Sequence, residues 1–250
     1  WSTNAGLDAD VYALAINANN GHLVAGGGFD GYVAEWDGAV WSTNAGLNDE
    51  VYALALNTNG HLVAGGYFPG RVAEWDGATW ATNGDLGSDV KALTLSTNGH
   101  IVAGGLFHDS CAEWNGIAWT PVANQSGLNN EVKALALNTN GNIVAGGYFD
   151  GYCAEWNGTN WTFLGTLDSD VNALALNTNG HLVASGSFTD YVAEWDGADW
   201  ITLGTLDGGA CALALNTNGH LVAGGYFTGY VAEWDGANWT TLGTLDGGAY

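Results

Sequence analysis

Three sets of residues recur in this chain with types that chemistry could use. The first is a row of acids, Asp10, Glu50, Asp89, Glu131 and Asp170, each directly before an apolar run. Oxygen ligands in number suit hard cations, so a ring of these carboxylates at a channel mouth could hold calcium. Polar edging of that mouth is the simpler reading. Ala210 reads as the break in the sixth place of the row. The second set is Glu35, Glu74, Glu113, Glu155, Glu194 and Glu233, each between Ala and Trp. Partly buried carboxylates need hydrogen-bond partners. Backbone amides, Trp ring N–H groups or water would have to supply them, because basic residues are too few. A glycosidase needs two carboxylates in unlike environments, so six equivalent ones read as architecture. The third set is His22, His61, His100, His181 and His220, with Asn142 in the remaining place. One His per segment cannot build a compact metal site, and a turn-stabilising role is expected. His108 stands alone in a loop.

Aromatic loops form a fourth set. Tyr148-Phe-Asp-Gly-Tyr152 and Tyr226-Phe-Thr-Gly-Tyr230 are the fullest copies, and Tyr32, Tyr67 and Tyr191 fall at matching places. Aromatic faces beside small polar groups could hold sugar rings, since ligand sites join an apolar lining to a few placed polar groups. Packing of one repeat against the next accounts fully for the Phe. The copies Phe68-Pro-Gly-Arg71 and Phe107-His-Asp-Ser110 lack the second Tyr. No Gly-x-Ser-x-Gly motif, phosphate-cradling loop or Cys with a placed His supports nucleophilic catalysis.

The elements that would position these residues repeat. Trp1, Trp41, Trp80, Trp119, Trp161, Trp200 and Trp239 follow one another at 40, 39, 39, 42, 39 and 39 residues. A period of that size signals arrays and propellers. In one copy, Val51-Tyr-Ala-Leu-Ala-Leu56 reads as a strand, and Asn57-Thr-Asn-Gly60 as a tight turn needing positive φ. His61 to Gly66 reads as a strand buried on both faces. Its paired glycines leave room for a bulky neighbour. Val72-Ala-Glu-Trp75 is a third strand and Trp80 opens a fourth. Four antiparallel strands per unit with no helix predict an all-β, six-bladed β-propeller, whose blades bury their faces only by stacking. The repeats fall at about 11–47, 51–86, 90–128, 132–167, 171–206 and 211–245, within one domain spanning 1–250. The Trp strand occurs seven times, so residues 1–9 and 239–245 both qualify as the outer strand of the closing blade, and the ring is expected to be latched by its terminal strands. A free copy could instead pair with a neighbouring molecule, since an unpaired edge strand is adhesive.

Composition narrows the partners. There are 26 Asp and Glu against Arg71, Lys91 and Lys133, a net charge of −23. That balance excludes nucleic acid, whose affinity comes from Lys and Arg on phosphate, and anionic membrane surfaces. No apolar run is long enough for a membrane span. Neither Met nor a signal segment opens the chain, so a processed protein or a piece of a longer one is expected. Cys111 and Cys153 occupy the slot of Val33, Val72, Val192 and Val231, and Cys211 is aligned with Val11, Val51, Val90, Val132 and Val171. All three are therefore expected to be buried free thiols. Sequons stand at Asn124, Asn157, Asn160 and Asn238.

The run Ile143-Val-Ala-Gly-Gly147, then Glu155-Trp-Asn-Gly158 and Trp161, resembles the kelch-type repeat, and the likeness extends over nearly the whole chain. Trp stands where those repeats commonly have Tyr, and Asp-Gly or Asn-Gly where Asp-Pro is common, which is similar to bacterial kelch-like surface repeats. The resemblance brings no active site with it. The expected role is a non-enzymatic, extracellular or cell-surface propeller binding glycan or protein partners multivalently. The alternatives are a structural module of an array or filament and, last, an enzyme acting at the channel mouth. No cofactor is expected beyond calcium at that mouth.

Overall fold

The computed structural model describes residues 7–44, 46–123 and 127–243. Among them there are 24 strands and no helix. The strands form six four-stranded antiparallel sheets, each a simple meander of consecutive strands. The sheets cover 11–43, 51–82, 90–121, 131–163, 171–202 and 210–241. In the second sheet the strands are Val51–Leu56, Leu62–Gly66, Val72–Trp75 and Trp80–Thr82. One expected boundary shifts: the second strand begins after His61. His61 lies outside the strand because its amide closes the preceding turn on the Asn57 side chain (2.9 Å).

Contacts along the chain divide it into two compact units, Trp1–Asn124 and Gln125–Tyr250. Sheets one to three belong to the first unit and four to six to the second. In each unit successive sheets stack face to face. Val24 and Val33 of sheet one meet Val51, Leu62 and Phe68 of sheet two. In the second unit Val183 and Val192 of sheet five meet Ala210, Leu221 and Phe227 of sheet six. Phe68, Phe107, Phe188 and Phe227 fill these seams within the units, at about 1.5–3 kcal/mol each for full burial. Trp ring N–H groups pin the outer strands across the same seams. Trp80 donates to the Asn44 carbonyl (3.1 Å), Trp200 to Leu164 (2.6 Å) and Trp239 to Leu203 (2.5 Å).

The paired glycines serve two separate purposes. A Cβ on Gly65 would stand 2.6 Å from Val90 Cγ1 of the next sheet, and one on Gly66 would stand 2.0 Å from the Glu50 carbonyl oxygen of its own sheet. The first glycine lets sheets approach, and the second accommodates a β-bulge. That bulge recurs in all six sheets near the start of the first strand, where the register slips as between Val51 and Ala53, and in sheet four between Val132 and Ala134. The residue left over is Tyr12, Tyr52, Lys91, Lys133, Asn172 or Cys211.

The register corrects two sequence alignments. Ala210 pairs with Gly225 as Val171 pairs with Gly186. Ala210 is therefore the valine equivalent, the sixth repeat starts at 210, and Cys211 sits at the bulge rather than in a valine slot. Accordingly Cys111 and Cys153 are buried but Cys211 is only half-buried. The acid row is broken by Gly209, whose carbonyl takes the Tyr226 amide (2.8 Å) as Asp170 takes that of Ser187. Of the two candidate outer strands for the last sheet, Trp239–Thr241 fills the place, paired with Val231–Trp234. The Trp1 copy lies outside the described residues.

Candidate functional site

Each sheet has a head end, where its first strand begins, and a tail end, where that strand turns back. The tail end joins two residue sets that the sequence kept apart. His61 Nδ1 lies 2.6 Å from Glu74 Oε1, and His22, His100, His181 and His220 meet Glu35, Glu113, Glu194 and Glu233 in the same way. The turn Asn adds a second donor: Asn177 Nδ2 to Glu194 Oε2 (3.0 Å) and Asn216 Nδ2 to Glu233 Oε1 (2.9 Å). Among the described residues, the partners given to these carboxylates are His, Asn and Ser side chains rather than Trp ring N–H groups or backbone amides. In sheet four Asn142 Nδ2 takes the His role at 2.7 Å from Glu155, and in sheet three Ser96 Oγ takes the Asn role at 2.8 Å from Glu113. An amide that does the work of an imidazole identifies that work as hydrogen-bond donation. The His220 and Asn216 side chains hold the Glu233 carboxyl below its ordinary value.

The head end carries the acid row. The backbone carbonyls of Asp10, Glu50, Asp89 and Asp170 accept amides from the end of the second strand at 2.9–3.0 Å, while Glu131 pairs with Tyr148 in the ladder. Their carboxylates go different ways. Asp10 is exposed. Glu50 accepts the Tyr52 hydroxyl. Asp89 lies 3.8 Å from Arg71 Nη1 and 3.4 Å from Lys91 Nζ. Asp170 accepts Lys133 Nζ at 2.7 Å. Among the described residues no three His, Cys, Asp or Glu side chains stand close enough to share a metal ion.

The bulge residues gather these groups. A bulge re-aims the side chain it carries. Lys91 Nζ stands 3.4 Å from the centroid of the Tyr52 ring, and Arg71 Cζ 4.7 Å from that of Tyr67. Tyr12 and Tyr52 rings lie 5.5 Å apart. Burial first, then the Glu50 carboxylate, push the Tyr52 hydroxyl above its ordinary pKa. In the first unit this forms one patch of Tyr12, Tyr52, Tyr67, Arg71 and Lys91 around Glu50 and Asp89. The sequence reading missed it because the recurring acids masked the variable slot beside them. The signal was the change of residue type at the second position of each first strand.

The seven loop tyrosines singled out as ligand candidates divide into two groups. Tyr32, Tyr152, Tyr191 and Tyr230 have φ of 60–65° and are half-buried. Their amides close the loop turn on the preceding Phe carbonyl at 2.9–3.0 Å, and Tyr32, Tyr152 and Tyr191 pack into seams. Tyr67, Tyr148 and Tyr226 are 49%, 54% and 56% exposed, and Leu106 holds the same place in sheet three. A cavity of about 170 Å3 adjoins Tyr148 and Tyr152, with Asn129, Asn130 and Asp150 around it. Asn129 and Asp150 already bond to each other there (2.9 Å).

Two further cavities, of about 330 and 320 Å3, open at the tail end along the seams of sheets four and five and of sheets five and six. Each has an aliphatic floor, a Trp wall and two carboxylates.

With this geometry in hand, three comparisons place the chain. The family model for the WD domain, G-beta repeat (WD40), matches residues 160–196. The match is to that repeat rather than to the kelch type that the Gly-Gly and Trp spacing resembles. Its sequence signal is a Gly-His followed by Trp-Asp, here Gly180-His181 and Trp195-Asp196. No curated protein matches the sequence. The WD40 β-propeller domain of Doa1 superposes with a TM-score of 0.79 at 17% identity, covering 98% of this chain and 86% of that one. The extracellular domain assigned to a one-component system of B. thetaiotaomicron gives 0.70 at 12% identity, covering 91% of this chain and 33% of that one. The fold is therefore an all-β propeller, with six blades of four antiparallel strands in a ring. In all, 674 solved chains match, a breadth at which fold alone selects no function.

Proposed function

We propose that the chain is a protein-binding propeller, with no catalytic step of its own, and that its interaction surface is the head end of the blades. The observation that carries this reading is the patch in the first unit where Arg71 and Lys91 lie over Tyr67 and Tyr52. Tyr and Arg are the residue types over-represented among interface hot spots. Two of the chain's three basic side chains stand here against a net charge of −23, and the neighbouring position offers exposed Leu106. Propellers with WD40 repeats generally serve as protein-interaction scaffolds, which supports the same class. A photo-crosslinking phenylalanine at Leu106, beside that patch, is expected to trap a discrete partner that the same probe at Ile117, on the tail-end turn of the same sheet, does not trap. Tyr67→Ala and Arg71→Ala are expected to weaken that partner's binding by about 2 kcal/mol each. Equal trapping of that one partner from both positions would overturn the reading.

A glycan is the second reading, favoured by the cavity beside Tyr148, where ring faces, amides and a carboxylate meet. A glycan array on which Tyr148→Ala abolishes every hit would support it; an array without hits would remove it. An extracellular or cell-surface setting belongs to the same proposal. The sequons at Asn157, Asn160 and Asn238 lie on exposed turns.

A further inference from the structure

The tail-end seams of the second unit have a composition that the head-end reading does not use. In the first, Val144 and Leu164 of sheet four and Leu182 of sheet five line the floor, Trp195 makes a wall, and Glu155 and Asp196 supply carboxylates. In the next, Val183, Leu203 and Leu221 repeat the floor, Trp234 the wall, and Glu194 and Asp235 the carboxylates. No Lys or Arg lines either one. The Trp walls are fixed: a Cβ on Gly165 would stand 2.8 Å from Trp195 Cζ3, and one on Gly204 2.7 Å from Trp234 Cζ3, so each ring reaches across to the preceding sheet. The carboxylates are fixed as well. Asp196 Oδ1 takes the amides of Ala198 and Asp199 at 2.8 Å, and Asp235 those of Ala237 and Asn238 at 2.8 Å.

We infer that these two seams are receptors for the cationic side chains, Arg or Lys, of a basic segment in a partner protein. An aliphatic floor suits the alkyl stem, which such side chains lay along apolar surface. The Trp face attracts the charged head, and a carboxylate gives the stronger, charge-assisted hydrogen bond. Cavities of about 330 and 320 Å3 each hold one such side chain. Two seams on successive blades present two receptors to one segment, so the second contact forms at high effective concentration. The inference rests on the chain being a protein-binding propeller but uses the opposite end of its blades.

The test is the anisotropy of a fluorescein-labelled hexa-arginine peptide, titrated with the protein at one fixed salt concentration. The double variant Asp196→Asn, Asp235→Asn keeps both turns, because Asn115 and Asn157 already make the same two bonds in sheets three and four. Its Kd is expected to rise at least about tenfold, as losing a charged hydrogen-bond partner at two sites predicts. The charge-matched control Asp10→Asn, Glu131→Gln at the head end is expected to stay within about twofold, the shift a distant screened charge makes. Equal weakening by both variants would mean attraction to net charge alone and would overturn the proposal. So would an unchanged Kd in the Asp196, Asp235 variant. Tyr67→Ala is expected to leave this Kd unchanged, so failure here is distinct from failure at the head end.

Discussion

At the scale of residues, two irregularities form one compensated pair. Gly26, Gly65 and Gly146, the first glycines of their pairs, each face a valine of the next sheet, and a Cβ on Gly146 would stand 2.4 Å from Val171 Cγ1. In sheet five the glycine is Ser185, and in sheet six the facing valine is Ala210; both are fully buried. The small residue has moved from one side of the seam to the other. Ala210→Val alone is expected to destabilise the protein, and Ser185→Gly in the same chain to recover most of the loss, with a coupling of about 1–3 kcal/mol in a denaturant-unfolding cycle. Independent, additive effects would contradict the contact. Ser185 Oγ is buried without a partner, so Ser185→Ala should gain about 1 kcal/mol.

The exposed turn aspartates set the response to acid. Backbone amides of Val40 and Ala39, and of Thr79 and Ala78, hold Asp37 and Asp76 below their ordinary 3.8, and Asp196 and Asp235 are lowered in the same way. A carboxyl whose folded pKa is depressed contributes stability that is complete above its unfolded pKa and is lost as pH falls through the folded value. Changing all four to Asn should flatten the fall in melting temperature below pH of about 4. An unchanged pH profile would show that these turns do not govern acid unfolding.

At the scale of elements, the hairpin at the tail end is held by a donor-to-carboxylate link that tolerates either His or Asn. His61→Asn is expected to stay within about 0.5 kcal/mol of the parent, and His61→Ala to cost about 1–2 kcal/mol by stranding one bond to Glu74. A large loss in the Asn variant would mean the imidazole does something an amide cannot. The bulge is the counterpart at the head end. It spends one residue per sheet outside the ladder, so that residue can vary without disturbing the pairing. Tyr, Lys, Asn and Cys all occur there, whereas the neighbouring ladder position is Val in five sheets and Ala in one. Residue type can vary at the bulge because the strand pairing does not depend on it. Between the two ends the seam Phe is constrained instead: Phe68 is 1% exposed, and Phe68→Ala should cost about 3–5 kcal/mol.

At the scale of the whole molecule, no blade covers its own two faces, so stability is shared between neighbours. A chain ended at residue 206 would bare Val183 and Val192, which sheet six now covers. It is expected to aggregate, and light scattering equal to that of the full chain would contradict seam-dependent stability. The same dependence keeps the blades alike and confines difference to their ends. Protein recognition is proposed for the head end, where the copies differ most, and cation-accepting seams for the tail end, where they repeat.

The sequence by itself determined the strands, the four-strand repeat, the turns and the number of blades. Those follow from local alternation, Asn-Gly turn chemistry and a period near 39 residues, all encoded within single repeats. The kelch resemblance came from the same spacing, while the Gly180-His181 and Trp195-Asp196 pairs carried the WD40 signal. Only the tertiary structure decided which glycine faces which neighbour, that His61 meets Glu74 across 13 residues, that Cys211 stands at a bulge, and that Arg71 and Lys91 lie over tyrosines. A bulge shifts register by one residue, and alternation continues unbroken on both sides of it, so the pattern of residue types cannot reveal the slip. Contacts between sheets join residues about one repeat apart, and near-identical copies leave no mark of which partner each one meets.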